Sequence, residues 1–259
     1  MAQTASKFFN VMVVGNNPEE LLKKYKIGEK VEPYIKYHYL DAEKIQKNSI
    51  KILTELCKNY KTFQLSKFHL NALQEKLKSI KNMSPFEYYQ AITYGCTYDE
   101  NGDAWCDVNP NGKFNSYQKG NHFSNPLILH NGEESYFSVN GKIDWGKMHL
   151  ANAPLYSRTW DLAVGDCIPE NENEVTIKKN TQNNQVYFSK FKDKEEYVRY
   201  SSSYWNYAYL DENGWVDADD AKSMNEWITT FYNKFVTQLK PTDIVTIFEC
   251  SKNDDDELQ

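Results

Sequence analysis

Tyr204-Trp-Asn-Tyr-Ala-Tyr-Leu210, Asp211-Glu-Asn-Gly-Trp215 and Ile244-Val-Thr-Ile-Phe248 decide the fold, together with the helically spaced set Trp227, Ile228, Phe231, Tyr232 and Phe235 that lies between them. The first piece reads as an aromatic strand, the second as a tight turn and the last as a closing apolar strand. Between them, Trp227, Ile228, Phe231 and Phe235 fall on one face of a helix. An apolar helix face flanked by two strands is covered by packing on the sheet they form, so this stretch is expected to hold the core. Ser223-Met-Asn-Glu226 starts that helix as a capping box, and Pro241 ends it.

Working outward, Phe8 to Val14 reads as a strand. Gly15-Asn-Asn17-Pro18 stops it and starts a short helix, with acids in the first turn. A single Gly after a strand lacks the glycine pattern that lets a backbone approach a pyrophosphate. Glu32 to Tyr39 alternates as a half-buried strand. Asp41 then opens a helix to about Asn59, a second follows from about Ser66, and Ser84-Pro-Phe-Glu87 caps a third. Between Tyr94 and Tyr136 the chain turns rich in Gly, Asn, Asp and Pro, which marks hairpins and ordered loops. Asp99-Glu-Asn-Gly102 and Asp211-Glu-Asn-Gly214 are both read as three-residue hairpin loops with Gly in the left-handed position. Helices are expected again over Pro154–Val164, Glu170–Phe188 and from Asp193. The sum is an α+β protein, a mixed or antiparallel sheet with hairpins covered by a helical layer. No long linker is visible, so residues 1–252 are expected to form one domain and 253–259 a disordered acidic tail.

The chain has 259 residues, enough to bury a core without disulfide staples, and its 19 Tyr, 13 Phe and 6 Trp carry an unusual share of the apolar surface. A formal net charge of -6 removes the broad positive field of a general nucleic-acid binder. The apolar runs are far shorter than the roughly 20 residues that cross a bilayer, and Met1 to Lys7 has no apolar signal core. The 5 cysteines have no metal-type spacing, which suits reduced thiols and a cytoplasmic location.

Five groups of residues compete for a role. Asp107, Asn109 and Asn111, followed by Gly112, place oxygen ligands at alternate positions before a sharp turn, as in the first half of a calcium loop. Gln118 stands where a bidentate Glu is needed and Pro110 interrupts the loop, so the alternative is a plain Asn-Pro-Asn-Gly turn. The first hairpin sets Cys96 opposite Cys106, either as a disulfide or metal pair or as two packed thiols. His122, His130 and His149 with Asp144, Asp161 and Asp166 are the types that ligate metals and carry protons, without helical spacing to gather them. Tyr204, Tyr207 and Trp215 are the candidate binding residues. Tyr34, Tyr37 and Tyr39 with Lys36 could stack bases, but strand alternation accounts for them as core.

The set Gly15-Asn-Asn-Pro18, Glu32-Pro-Tyr34, Asn109-Pro-Asn-Gly-Lys113, Phe123-Ser-Asn-Pro126, Asn131-Gly-Glu-Glu-Ser-Tyr136, Ile143-Asp-Trp145, Asp211-Glu-Asn-Gly-Trp215 and Thr246-Ile-Phe-Glu-Cys250 resembles an uncharacterised protein family of phages and prophages of low-GC gut bacteria. The resemblance spans nearly the whole chain and implies a context, with no activity, cofactor or site residue attached.

The expected function is therefore a non-catalytic intracellular module that binds another protein, as a phage accessory or host-interaction factor. Tyr and Trp dominate interface hot spots, and no catalytic motif is present. A virion-associated structural protein is a variant of this reading. The rival is a metal-dependent hydrolase or nuclease built from the His and Asp set, which requires those side chains to converge.

Overall fold

Ser66, Ser84, Asp193 and Ser223 each accept a hydrogen bond from the backbone N–H three residues on, and each starts a helix. That bond satisfies one of the donors a helix leaves open at its first turn. At Ser84 the box is complete, with Glu87 reaching back to the Ser84 N–H at 2.7 Å. Asn17 and Asp41 precede helices without making a side-chain cap.

A computed structural model describes residues 6–62, 66–120, 125–165, 167–182 and 185–253. In chain order the elements are β1 (Ser6–Val14), α1 (Pro18–Lys23), β2 (Lys30–Tyr37), α2 (Ala42–Lys58), α3 (Lys67–Asn82), α4 (Pro85–Ile92), β3 (Thr97–Tyr98), β4 (Ala104–Val108), β5 (Ser116–Lys119), β6 (Leu127–Ile128), β7 (Glu134–Ser135) and β8 (Phe137–Val139). They continue with α5 (Ala153–Ala163), α6 (Glu172–Gln182), α7 (Gln185–Phe188), α8 (Lys194–Ser202), β9 (Ala208–Asp211), β10 (Gly214–Asp217), α9 (Met224–Phe231) and β11 (Ile244–Asn253). The fold is α+β. Despite the lack of a linker, the described residues form two compact units: the first comprises 6–26 and 111–253, the second Ile27–Pro110.

The first unit is built on a sheet of order β10-β9-β1-β11-β5, with β8 pairing β11 beside β5. β1 runs antiparallel to β11 from Ser6↔Asn253 to Val14↔Val245 and parallel to β9, so the sheet is mixed. Asn253 thus ends a strand, while the rest of the expected acidic tail lies outside the described residues. Alternation along the strands divides the apolar residues between two faces. Met12, Tyr209, Val245 and Ile247 meet Trp227, Ile228, Phe231 and Phe235; Val11, Val13, Leu210 and Phe248 meet Leu22, Phe114, Tyr25 and Trp215. After Phe231 the helix widens into a π turn over Tyr232–Val236. Phe235 within this turn stacks on Tyr209 at 4.4 Å. Also in this unit, α5, α7 and α8 enclose an aromatic cluster of Trp160, Phe188 and Tyr197. The polar helix expected over 170–188 is α6 and α7, and Arg158 fixes α6 with a two-point grip on Glu174 at 3.0 and 2.7 Å.

The second unit has a three-stranded antiparallel sheet of order β2-β4-β3. Its helices pack Leu53, Ile80 and Tyr88 against Leu56, Leu73 and Leu77. Gln46, buried in α2, donates to the Ile80 and Met83 carbonyls at 3.1 and 2.8 Å, which satisfies acceptors left open at the end of α3. Ala42, Tyr89 and Ala104 join helices to sheet in a separate small cluster.

Candidate binding site

The second unit carries a groove of about 370 Å³ whose walls are aromatic. Three parts of the chain make it. The turn after β2 supplies Tyr39, α4 supplies Phe86, Tyr89 and Gln90, and the β3–β4 hairpin supplies Tyr98 and residues 100–102. Phe86 and Tyr89 are three apart on α4 and therefore share a face. Tyr89 is the floor, buried to 1 %, while Tyr39, Phe86 and Tyr98 stay 39 %, 49 % and 49 % exposed. The rings meet edge to face: Tyr39 contacts Phe86 at 82° and Tyr89 at 80°. Such pairs gain electrostatically from a ring edge set against a ring face. Leu40, next to Tyr39, is almost wholly in solvent.

Polar contacts fix these rings. The Tyr89 hydroxyl lies 3.0 Å from the Tyr37 carbonyl and 2.9 Å from that of Gly102, so the floor ring ties both walls together. Tyr98 is held through its hydroxyl by Thr93 Oγ1 at 2.7 Å. Asp103 accepts from the Tyr39 N–H at 2.9 Å and pairs with His38 Nδ1 at 2.7 Å. The hydrogen bond to Asp103 and its charge raise the His38 pKa. Burial raises that of Tyr89. Glu100 supplies the groove's one charged side chain among the described residues, and Gln90 and Asn101 add amides at its margin.

Other hollows are more polar. One of about 910 Å³ lies in the first unit at the C-terminal ends of β1 and β9. There Asp211 accepts from the Tyr209 hydroxyl at 3.2 Å and the Asn213 N–H at 2.8 Å, and Asp243 accepts from the Lys240 N–H at 2.7 Å.

Of the expected binding residues, Tyr204 is buried in the core of the first unit, where its hydroxyl accepts from Asn206 at 3.0 Å and burial raises its pKa. It is a packing residue and not a surface anchor. Tyr207 and Trp215 are half-buried. The Tyr207 hydroxyl donates to Asp219 at 2.7 Å, while the Trp215 indole donates to Asp217 at 2.7 Å and its ring stacks with Phe114. Asp107 is paired with Lys30 at 3.0 Å, which lowers its pKa, so a cation there would have to displace that lysine. Asn109 is buried and Asn111 lies in the turn that returns the chain to the first unit.

The His and Asp set is dispersed where it is described. His130 comes within 3.8 Å of Asp144, which also caps a short turn through the Lys147 N–H. His149 stacks flat on Tyr232 at 3.8 Å and accepts from the Tyr204 N–H at 3.2 Å, and its pKa is lowered by burial. Asp161 is bound by Lys194 at 2.6 Å. His122 and Asp166 lie outside the described residues. Among the described residues, no group of three or more His, Cys, Asp and Glu could hold a metal, and no helix is long and apolar enough to cross a membrane. Comparison of the chain with family models, curated proteins and solved structures gives no match.

The groove itself escaped the sequence reading because Tyr39, Phe86 and Tyr98 come from three separate elements. Tyr39 was expected at the end of a strand; the chain leaves β2 at Tyr37, and Tyr39 instead opens a short 3-10 turn.

Proposed function

We propose that the protein is a non-catalytic protein-binding module whose recognition site is the aromatic groove of the second unit. Its occupant is an extended segment of a partner protein, with a proline or aliphatic anchor beside a lysine or arginine. The observation that carries this reading is the cluster of Tyr39, Phe86 and Tyr98, three large rings left open to solvent around a buried fourth. Aromatic-lined grooves suit extended proline-containing segments, which lose little entropy on docking. Glu100 at the margin favours a basic neighbour to that anchor, and Gln90 and Asn101 can bond a peptide backbone. In the phage setting that the sequence resemblance implies, this module serves as an accessory or host-interaction factor in the host cytoplasm, and the segment belongs to a host protein.

Selection from a displayed peptide library, followed by fluorescence titration of an enriched peptide, tests the reading. Enriched peptides are expected to share the anchor and basic neighbour. Phe86→Ala and Tyr98→Ala should each weaken binding at least about tenfold, or ~1.4 kcal/mol, with the circular dichroism spectrum unchanged. Glu100→Gln should weaken it less and flatten its salt dependence. Failure to enrich any peptide, or full affinity in both ring variants, overturns the proposal.

A further inference from the structure

Cys96 and Cys106 face each other at the base of the hairpin that bears one wall of the groove. β3 and β4 pair as Thr97↔Trp105 and Tyr98↔Ala104, and the next step of that register sets Cys96 opposite Cys106. The kind of pair follows from the turn. The Asp99 N–H donates to the Asp103 carbonyl at 3.2 Å, which makes Asp99 and Asp103 a hydrogen-bonded pair. Antiparallel pairs alternate, so 98↔104 is non-hydrogen-bonded, 97↔105 hydrogen-bonded and 96↔106 non-hydrogen-bonded. In that last class the Cα atoms approach to about 4.5 Å and the side chains are closest. This spacing falls within the range of roughly 4.4 to 6.8 Å that a disulfide spans. The two thiols are free, and the Cys106 Sγ accepts from the Val108 N–H at 3.4 Å. Cys106 is buried and Cys96 is partly open, packed beside the Ala42, Tyr89 and Ala104 cluster.

We infer that Cys96 and Cys106 are a reversible oxidation site, closing to a cross-strand disulfide by exchange with a low-molecular-weight disulfide such as oxidised glutathione. Cys96, the more accessible sulfur, attacks as thiolate. Its S–H proton goes to solvent, one glutathione sulfur bonds to Cys96, and the other leaves as glutathione thiolate. Cys106 then attacks the Cys96 sulfur, loses its own proton and expels the second glutathione. The protein gives up two electrons and two protons, and one oxidised glutathione becomes two reduced ones. A zinc pair fits less well, since a structural zinc takes four ligands and no cluster of three is found among the described residues. Burial, with Cys106 alongside, raises the Cys96 pKa, so the thiolate is scarce at neutral pH and the exchange is slow there.

The test incubates the full chain with oxidised glutathione under mildly alkaline conditions, then uses intact mass and peptide mapping. The expected result is a loss of two hydrogen masses, a mapped link between Cys96 and Cys106, reversal by dithiothreitol and a raised melting temperature. Cys106→Ser should stop at a glutathione adduct on Cys96, and Cys96→Ser should oxidise much more slowly. A link through Cys57 or Cys167 instead, or no link while the protein is folded by circular dichroism, overturns the inference. This readout does not depend on any peptide binding to the groove, so either proposal can fail alone.

Discussion

The sequence Asp-Glu-Asn-Gly closes one hairpin in each unit, and the two hairpins are not alike. At Asp99 the loop has three residues: the Gly102 N–H returns to the Asp99 carbonyl at 3.0 Å, and Gly102 sits at φ +78°, in the left-handed region. At Asp211 the strands close one residue sooner, with Gly214 opposite Asp211 and φ +124°. The first follows the sequence expectation and the second departs from it. Both aspartates bind the N–H two residues on, so turn chemistry is shared. The tryptophan that follows makes the difference. Trp105 is held within its own hairpin by Asp99 Oδ2 at 3.1 Å, whereas the Trp215 N–H is taken by the Tyr25 hydroxyl at 3.1 Å and its ring packs on Tyr25 and Phe114. A hairpin governed by local bonds keeps the geometry its sequence prefers; one drawn into a core takes the geometry the core demands.

The largest expected effect tests how far that core extends. Phe231 is fully buried under the six-stranded sheet, and Phe231→Ala should cost about 3 to 5 kcal/mol through lost burial and a residual cavity. Amide hydrogen exchange should show the loss in β1, β9 and β11, with β2 and β4 retaining protection. A uniform loss in both units would break the comparison.

The glycines come next. Gly102→Val and Gly214→Val should each cost on the order of 1 to 3 kcal/mol, because a branched side chain is strained at positive φ. A Cβ would also come within 3.4 Å of the Tyr39 ring at 102 and of the Tyr25 hydroxyl at 214. Asparagine separates the two sites, since it tolerates the left-handed region but not the wider angle of Gly214. Thermal melts should show Gly102→Asn costing clearly less than Gly214→Asn. Equal costs would mean that the two turns are alike after all.

The smallest effect is a pair of opposed pH dependences. Burial lowers the His149 pKa, so its contribution is present above the ordinary value of 6.5 and lost as pH falls through the folded pKa. Asp103 raises that of His38, so its contribution is present below 6.5 and lost as pH rises through the folded pKa. Hydrogen exchange between weakly acidic and weakly alkaline pH should therefore show the first unit gaining protection near α5 as the β2–β4 pairing of the second loses it. Replacing His149 by Phe should abolish the first trend only, and parallel trends in the unsubstituted protein would contradict the assignment.

Much of this fold was written locally. Ser84 with Glu87, Ser223 with Glu226 and the stripe Trp227, Ile228, Phe231 and Phe235 carry their instructions within a few residues, and the elements form there. Other features depend on partners distant in sequence. Tyr204 to Tyr207 look like a strand but lie outside β9, where the Asn206 carbonyl accepts from the Trp227 indole at 2.8 Å and the Tyr207 carbonyl from the Ala218 N–H at 2.9 Å. The register of Cys96 with Cys106 was legible because a turn fixes it. The groove was not, because exposed and buried tyrosines look alike until the elements between them have packed.

The path of the chain has a further consequence. Among the described residues, no strand of the six-stranded sheet comes from 27–110, and the two points where the chain leaves and rejoins that unit are tied together, with the Lys113 N–H donating to the Tyr25 carbonyl at 2.7 Å and Lys26 bridging Phe114. Residues 27–110 are thus an insertion in the sequence of the first unit, whose flanking residues are already joined to each other. A gene that exchanged this segment for another would leave every described strand of that sheet in place, so the frame and its insertion can change independently.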